Sequence, residues 1–397
     1  MQPIWFRGDL SARHSATSRT PPRARRLRVR PTCFTRKPVL VTAEATERFG
    51  VYLHVPFCVR RCDYCSFATW TDRGHLIDQY LAACRTQAKT ASTNLPDITS
   101  VFIGGGTPNL VPADSLMSIF RELPLAPTVE FTIECNPDLV DDQQLETYVT
   151  AGVNRVSLGV QSMVPHVLAS LGREHNPDNV HAAVQTIREA GINRLNLDLI
   201  YGANGESIED WKTSVESALA LHPEHLSTYA LTVEPGTPLA EDVDRHPDDD
   251  DQADKYLLAD ELITSAGLMN YEISNWARPG EQCQHNMLYW TQGEYLGLGV
   301  AAHSHIAQRR FWSVRTPERF IKAIEKGSCV EAGAEELDPD AWALEGRQLA
   351  IRTSEGVPQE FVPHKVQHLT EPSNVAGKVK LSVEGRLLAN EVSISLQ

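Results

Sequence analysis

The sequence predicts an α/β protein whose main domain is an incomplete barrel of six strand–helix units, followed by a smaller and mainly helical domain. Short runs rich in aliphatic residues alternate with amphipathic segments, which is the pattern of right-handed βαβ crossovers in a parallel sheet. Six units are too few for a closed eight-fold barrel, so we expect a partial (β/α)6 barrel, with a doubly wound sheet as the alternative. The predicted strands are residues 51–55, 100–103, 129–134, 155–160, 194–200 and 226–233.

Composition and pattern divide the 397 residues into three parts. Residues 1–43 contain ten Arg or Lys and one acid, Asp9, among scattered Ser and Thr. This composition is typical of an organellar transit peptide, which we assign to residues 1–46, although a basic nucleic-acid arm has a similar charge. We expect a mitochondrial protein, with the plastid as the alternative. The barrel then takes residues 47–315, and helices with short β pieces form the second domain at residues 316–397.

The charge of the remaining chain bears on its partners. Without the N-terminal 43 residues the chain keeps 27 basic and 50 acidic residues, so its formal charge falls from −14 to −23. Such a body should repel nucleic acid, and we expect no nucleic-acid partner. We also expect no transmembrane helix, because no apolar run reaches eighteen residues. The acidic run at residues 246–252 is predicted to be an exposed turn with an N-cap Asp before a helix at residues 255–266, rather than a calcium loop, because the Gly and terminal Glu of such a loop are absent.

Three cysteines, Cys58, Cys62 and Cys65, follow the first predicted strand at the spacing C-x3-C-x2-C. Three thiolates on one loop can bind three irons of a [4Fe–4S] cluster and leave the fourth iron open for a small molecule. A zinc site would need a second Cys or His pair at a set distance, and none has that spacing. Charged residues between the cysteines indicate an exposed loop rather than buried structural thiols.

With Tyr64 just before the third cysteine, this loop resembles the C-x3-C-x-aromatic-C loop of the radical S-adenosylmethionine (SAM) superfamily. In that superfamily the amino and carboxylate groups of SAM chelate the open iron. The segment 104–108, GGGTP, resembles a second element of the superfamily, and its glycine amides can approach a ligand closely. The resemblance therefore implies a [4Fe–4S] cluster and SAM as cofactors. It also implies the SAM-contacting residues: Tyr52, Tyr64, Gly105, Gly106, Thr107, Glu134, Gln161, Arg173 and Asp198.

Several of these residues have a physical rationale. Glu134 and Asp198 can accept hydrogen bonds from an amine or from ribose hydroxyls, and Arg173 can pair with a carboxylate. For Asp198 the alternative is a capping role in the turn after its strand. His54 is either a structural residue of the first strand or a group that hydrogen-bonds to a cluster sulfur.

The segment 284–290, QHNMLYW, resembles the HNxxYW element of the HemW group of haem chaperones, which includes a mitochondrial member. Residues 295–304 and 385–392 match the same group, and the resemblance covers about residues 50–397. It implies a protein that binds haem and transfers it to an acceptor haemoprotein. The alternatives are an oxygen-independent coproporphyrinogen III oxidase and a scaffold without activity. The oxidases carry a further cysteine soon after the motif, where this chain has Ser66 and Phe67, and this difference favours the carrier.

The candidate haem-binding residues lie in the same segment. A neutral imidazole at His285 can serve as an axial ligand to haem iron, while Tyr289 and Trp290 can pack against the porphyrin. The alternative for His285 is a structural role in a turn. The other candidate ligands are Cys283, His303 and His305. The sequence leaves open whether SAM is cleaved.

Overall fold

The computed structural model describes residues 48–173 and 176–396, so the predicted transit peptide lies outside the described residues. The strands are β1 (Phe49–Val55), β2 (Ile98–Gly105), β3 (Leu125–Cys135), β4 (Arg155–Gln161), β5 (Arg194–Tyr201), β6 (His225–Ala230), β7 (Met269–Glu272), β8 (Asn275–Ala277), β9 (Glu294–Leu298), β10 (His303–Ile306), β11 (Arg309–Ser313), β12 (Glu331–Glu336), β13 (Val357–Pro358), β14 (Thr370–Pro372) and β15 (Lys378–Leu381). The helices are α1 (Ile77–Ser92), α2 (Ala113–Met117), α3 (Asp142–Thr150), α4 (Pro165–Ser170), α5 (Pro177–Glu189), α6 (Ile208–Ala220), α7 (Pro238–Glu241), α8 (Asp249–Ser265), α9 (Gln284–Trp290), α10 (Pro317–Glu325), α11 (Pro339–Ala350), α12 (Val383–Leu387) and α13 (Ala389–Ser395).

Strands β1 to β6 lie side by side in sequence order, and each pairs in parallel with the next. This arrangement confirms the predicted partial (β/α)6 barrel, and all six predicted strands are present. The order contains no reversal among these strands, which excludes the doubly wound alternative. The sheet stays open because β9 pairs with the free edge of β1 and β8 pairs with β6, giving twelve strands in one sheet.

The alternation of side chains along each barrel strand separates a core from a polar interior. In β4 the apolar residues Val156, Leu158 and Val160 are fully buried in the main hydrophobic core. Arg155 and Ser157, on the other face of the strand, line a cavity inside the barrel. Functional side chains can therefore collect inside the barrel while the helices cover its outer face.

The C-terminal region contains a second, smaller hydrophobic cluster. Its buried residues lie between Ile351 and Leu396, beside a three-stranded sheet in the order β13, β15, β14. Two elements beyond residue 316, a helix and a strand, pack with the barrel. Phe320 of α10 is part of the main core, and β12 pairs with β11. Among the helices of the described ranges, none combines the length and the apolar composition needed to cross a bilayer.

At the acidic run, residues 246–252, the predicted N-cap Asp is confirmed as Asp248, but the helix begins earlier than predicted. Helix α8 begins at Asp249, inside the run, and the Asp248 side chain accepts a hydrogen bond from the amide of Asp251. Acidic side chains in the first turn interact favourably with the positive end of the helix dipole. Lys255 is completely buried, with its Nζ 2.6 Å from Asp251 and 3.3 Å from Glu206. The run therefore provides a helix start and a partner for a buried lysine, in addition to exposed charge.

Candidate functional site

The three cysteines of the predicted cluster site lie on the loop that follows β1. Cys58, Cys62 and Cys65 are free and half-buried. The amide of Cys58 donates to the carbonyl of Trp70 at 3.1 Å, and the amide of Cys65 donates to that of Cys62 at 3.1 Å. These backbone bonds hold the loop at the carboxyl end of β1, the edge at which ligands bind in such barrels.

The cysteines of this loop lie close enough for their charges to interact. Burial raises the pKa of Cys58 to about 11, with Cys65 and Cys62 adding to the rise and a Thr107 hydrogen bond opposing it. In the described ranges no three His, Cys, Asp or Glu side chains surround a single ion position. Three thiolates on one loop can each bind a different iron of a cluster. The donor set and its half-buried position fit a [4Fe–4S] cluster.

The glycines at the end of β2 let this end of the strand pack closely against the loop. A Cβ on Gly106 would lie 2.9 Å from the Sγ of Cys58. Gly105 has a φ of +122°, and a Cβ there would lie 2.6 Å from the ring of His54. The amide of Gly105 donates to Glu134 Oε2 at 3.0 Å, which links the end of β2 to that of β3. Only glycine fits at both positions without displacing these neighbours.

Arg173 connects the cysteine loop to the end of β4. Its Nη1 lies 3.7 Å from the Sγ of Cys62, and its Nη2 donates to the carbonyl of Gly159 at 2.9 Å. Burial, followed by the neighbouring Cys62, raises the pKa of Tyr64 well above its ordinary value.

Gln161, the last residue of β4, has a φ of +65°, a left-handed conformation that costs energy for a side-chain-bearing residue. Such strain is common at ligand sites.

Asp198 lies within β5 rather than after it, and so it does not cap the following turn. Its carboxylate accepts hydrogen bonds from Ser157 Oγ at 2.7 Å and from Asn196 Nδ2 at 3.0 Å. Asp198 also contributes, after burial, to the raised pKa of Glu134. These two carboxylates therefore share the upper part of the barrel interior, next to the glycines of β2.

Tyr52 and His54 lie on the inner face of β1 and bond to each other. His54 Nε2 is 2.9 Å from the carbonyl of Ala68, so that nitrogen donates, and Nδ1 accepts from the Tyr52 hydroxyl at 3.1 Å. Burial lowers the pKa of His54 to about 4. Since both ring nitrogens are used, His54 makes no hydrogen bond to a cysteine sulfur and acts as a structural residue.

The structure thus brings the three cysteines and eight of the nine SAM candidates to the carboxyl ends of the barrel strands, while Tyr52 lies deeper in the barrel, in the middle of β1. The predicted haem-binding residues lie elsewhere. The ring of His285 is next to Gly50, and its Nδ1 is 3.0 Å from Ser100 Oγ. Gly50 and Ser100 are near the start of β1 and β2, so α9 lies at the amino end of the barrel. The ring of His285 nevertheless reaches into the barrel, where its centroid lies 6.4 Å from that of Tyr52, so the two sets of candidates meet in the barrel interior.

Within α9 the candidate haem residues are buried. His285 is 1% exposed, and its Nε2 lies 3.1 Å from the Tyr289 hydroxyl. Burial lowers the pKa of His285 to about 3, so the ring is neutral. Trp290 is also buried. Cys283 lies just before the helix, and burial raises its pKa to about 11, which keeps it a thiol at neutral pH.

A polar cavity inside the barrel connects the two regions, and the sequence reasoning missed most of its lining. His225 donates through Nδ1 to Asn196 Oδ1 at 2.5 Å and accepts from the Tyr271 hydroxyl at 2.8 Å. The signal that could have found these residues is the period-two pattern of the strands, since searching only the strand ends overlooks them. The missed lining residues are Arg155, Ser157, Asn196, His225, Ser227, Tyr229, Tyr271, Asn275 and Asn286.

Comparison with known proteins identifies relatives along most of the chain. Residues 52–218 match the family model of the Radical SAM superfamily. Heme chaperone HemW of Mycobacterium tuberculosis is 39% identical over 366 residues, which cover 87% of this chain and 94% of that protein. Heme chaperone HemW of Synechocystis is 36% identical over 79% of this chain and 80% of its own. The structure of coproporphyrinogen III oxidase (HemN) from Escherichia coli superposes with a TM-score of 0.76, covering 88% of this chain and 89% of its own, and its 21% identity establishes likeness of fold alone.

Proposed function

The chain belongs to the HemW family of the radical SAM superfamily, and we propose on this basis that it is a haem chaperone, which binds haem and transfers it to an acceptor haemoprotein. The observation that carries the proposal is the similarity to heme chaperone HemW of M. tuberculosis along nearly the whole length of both proteins. The HNMLYW segment of α9 adds a histidine whose neutral ring is a suitable ligand for haem iron.

The cysteine loop would hold a [4Fe–4S] cluster through Cys58, Cys62 and Cys65. When bound, the cluster offers an open iron to SAM and an electron for its cleavage. Gly105 and Gly106 would let the backbone of β2 approach the cysteine loop closely, so that their amides could contact the amino-acid part of SAM. The remaining SAM candidates would position its amino, carboxylate and ribose groups from the surrounding strand ends.

Haem would bind at the amino end of the barrel, on α9. For His285 Nε2 to bind iron, the Tyr289 hydroxyl, now 3.1 Å away, must turn aside. The Ser100 hydroxyl 3.0 Å from Nδ1 would then keep the ring oriented, as second-layer partners of metal-bound histidines do. Tyr289 and Trp290 would supply aromatic surface for the porphyrin.

The test compares haem transfer with enzymatic turnover in one preparation. Anaerobically reconstituted protein is loaded with haem and mixed with an apo-haemoprotein, and transfer is followed by the Soret band. In parallel, the same protein receives coproporphyrinogen, SAM and a reductant. We expect haem to pass to the acceptor and no protoporphyrinogen to form catalytically. Catalytic formation of protoporphyrinogen would instead establish the coproporphyrinogen oxidase alternative.

We also propose that residues 1–46 direct the chain to the mitochondrion. The support is their composition, rich in Arg and nearly free of acids. A fluorescent reporter fused behind residues 1–46 tests this proposal. Mitochondrial import is the expected result, plastid import would favour the alternative destination, and a diffuse or nuclear signal would contradict an organellar presequence.

A further inference from the structure

Arg155 is a buried cation without a partner. It is 2% exposed and opens β4, and its side chain lines the cavity inside the barrel. Across residues 48–173 and 176–396, no hydrogen bond or ion pair reaches its guanidinium; burial lowers its pKa, but the longer-range charges of neighbours, among them Cys283 and Glu130, raise it overall. A guanidinium stays charged in a protein, and an unpaired buried charge is strongly unfavourable. This arrangement therefore indicates a missing anion.

The nearest acids are already engaged. Glu130 Oε2 is 2.9 Å from Arg194, and its Oε1 accepts the amide hydrogen of His285 at 3.2 Å. Asp198 accepts hydrogen bonds from Ser157 and Asn196. Arg194, in contrast to Arg155, is paired with both Glu130 and Glu281. Among the residues that the structure describes, Arg194 is thus paired with two carboxylates, whereas the guanidinium of Arg155 has no hydrogen-bond partner.

We infer that Arg155 binds the carboxylate of a ligand inside the barrel, between the carboxyl-end site and α9. A planar carboxylate can accept two parallel hydrogen bonds from a guanidinium. The hydroxyls of Ser157, Ser227 and Tyr271 line the same cavity but already donate to Asp198, Asn196 and His225, so the Arg155 guanidinium is the group that would hold the carboxylate. Glu134 and Asp198 also line it, and their negative charge would oppose a doubly charged phosphate more than a singly charged carboxylate.

Two sources can supply this carboxylate. His285 and Tyr289 line the same cavity as Arg155, so a haem held on α9 could direct a propionate group to the guanidinium. A free organic acid could occupy the cavity below the SAM site. The haem source rests on the proposed function, whereas the free-acid source does not.

The experiment measures two affinities in reconstituted full-length protein. Soret titrations compare haem with haem dimethyl ester, which lacks the propionate charges, and ligand-observed NMR measures binding of propionate. For the haem source, we expect the wild type to bind haem at least about tenfold more tightly than the ester, because a charge-assisted bidentate pair is lost with the ester. Arg155→Gln should abolish this preference, and Arg155→Lys should keep part of it.

Arg194→Gln is the matched control, since it removes a paired arginine from the same region and should leave the preference for haem intact. Binding of propionate by the wild type and its loss in Arg155→Gln, with haem and ester bound equally, would support the inference with a free acid as the source. This second result would hold even if haem transfer failed.

Stability gives an independent readout. Without ligand, Arg155→Gln should unfold at the same temperature as the wild type or at a higher one, because it removes an unpaired buried charge. Arg194→Gln should unfold at a lower temperature, because it leaves Glu130 unpaired. The inference is overturned if Arg155→Gln destabilises the protein as much as Arg194→Gln. It is equally overturned if the wild type neither prefers haem to its ester nor binds propionate, or if Arg155→Gln keeps these properties.

Discussion

The Nε2 of His285 and the hydroxyl of Tyr289 lie 3.1 Å apart, one helical turn from each other on α9. Both side chains are buried, and the other ring nitrogen of His285 is 3.0 Å from Ser100 Oγ. The histidine is therefore oriented from both sides and neutral. A histidine held in this way could replace its hydrogen bond to Tyr289 with a bond to haem iron. His285 is therefore the first residue to test.

His285→Ala should shift or abolish the Soret band of bound haem and leave the absorption of the iron–sulfur cluster unchanged. The two effects separate because α9 is at the amino end of the barrel and the cysteine loop is at its carboxyl end. His75→Ala, a change at an exposed histidine, is the control. An unchanged Soret band in His285→Ala would move the axial ligand to Cys283 or His303.

Cys62→Ser should prevent cluster assembly, measured as iron and sulfide content, while the barrel remains folded. Cys62 is a half-buried loop residue, so we expect its free energy of unfolding to change by less than about 1 kcal/mol. Cys329→Ser, at a half-buried cysteine outside the loop, should keep the cluster. A full cluster in Cys62→Ser would contradict the assignment of the three ligands.

Gly105→Ala should remove SAM binding, measured by equilibrium dialysis against labelled SAM. The added Cβ would lie 2.6 Å from the His54 ring at a φ of +122°, so either the ring or the end of β2 must move. The strain should also destabilise the fold by about 1–3 kcal/mol. Gly74→Ala, where a Cβ meets no atom within 4 Å, should bind SAM normally. Normal SAM binding by Gly105→Ala would exclude the glycine segment from the site.

Lys255→Met should lower the free energy of unfolding by about 3–5 kcal/mol in urea denaturation. The substitution leaves Glu206, 3.3 Å from the ammonium, as an unpaired carboxylate in a buried position. The control Lys212→Met breaks a surface pair with Glu216 at 4.0 Å and should change stability by less than about 1 kcal/mol. Equal effects of the two substitutions would show that the buried pair contributes no more than a surface pair.

The haem-free protein should lose stability as the pH falls below 6.5, in part through His285. The pKa of this ring is lowered by burial from 6.5 to about 3 in the folded protein, so between these values the unfolded chain binds a proton that the folded chain does not. Each pH unit in that window then costs up to about 1.4 kcal/mol. His285→Gln should make the free energy of unfolding less dependent on pH from 6.5 to 4.5. An unchanged pH slope, equal to that of His75→Gln, would contradict the lowered pKa.

The six barrel strands and the cysteine loop were predictable because their signals are local. Short aliphatic runs end at Pro or Gly, and the spacing of Cys58, Cys62 and Cys65 is itself the motif. Helix boundaries near acidic residues were harder to predict from the sequence. The start of α8 at Asp249 depends on the Asp248 cap and on the burial of Lys255, and this burial is a tertiary property.

The location of α9 and the position of Arg155 inside the barrel were not predicted, for two different reasons. The HNMLYW segment identifies candidate residues, but its packing against Gly50 and Ser100 follows from long-range contacts that no local pattern contains. The position of Arg155 inside the barrel, in contrast, could have been predicted from the sequence. In RVSLGVQ it shares a strand face with Gln161, and the period of two would have placed both inside the barrel.

The most direct test of the account is the paramagnetic resonance spectrum of the anaerobically reconstituted and reduced protein, recorded with and without SAM, together with its iron and sulfide content. We expect four iron and four sulfide ions per chain and a cluster signal that changes when SAM is added, because one iron of the cluster is open to SAM. Protein without inorganic sulfide, or a cluster signal that SAM leaves unchanged, would contradict the account.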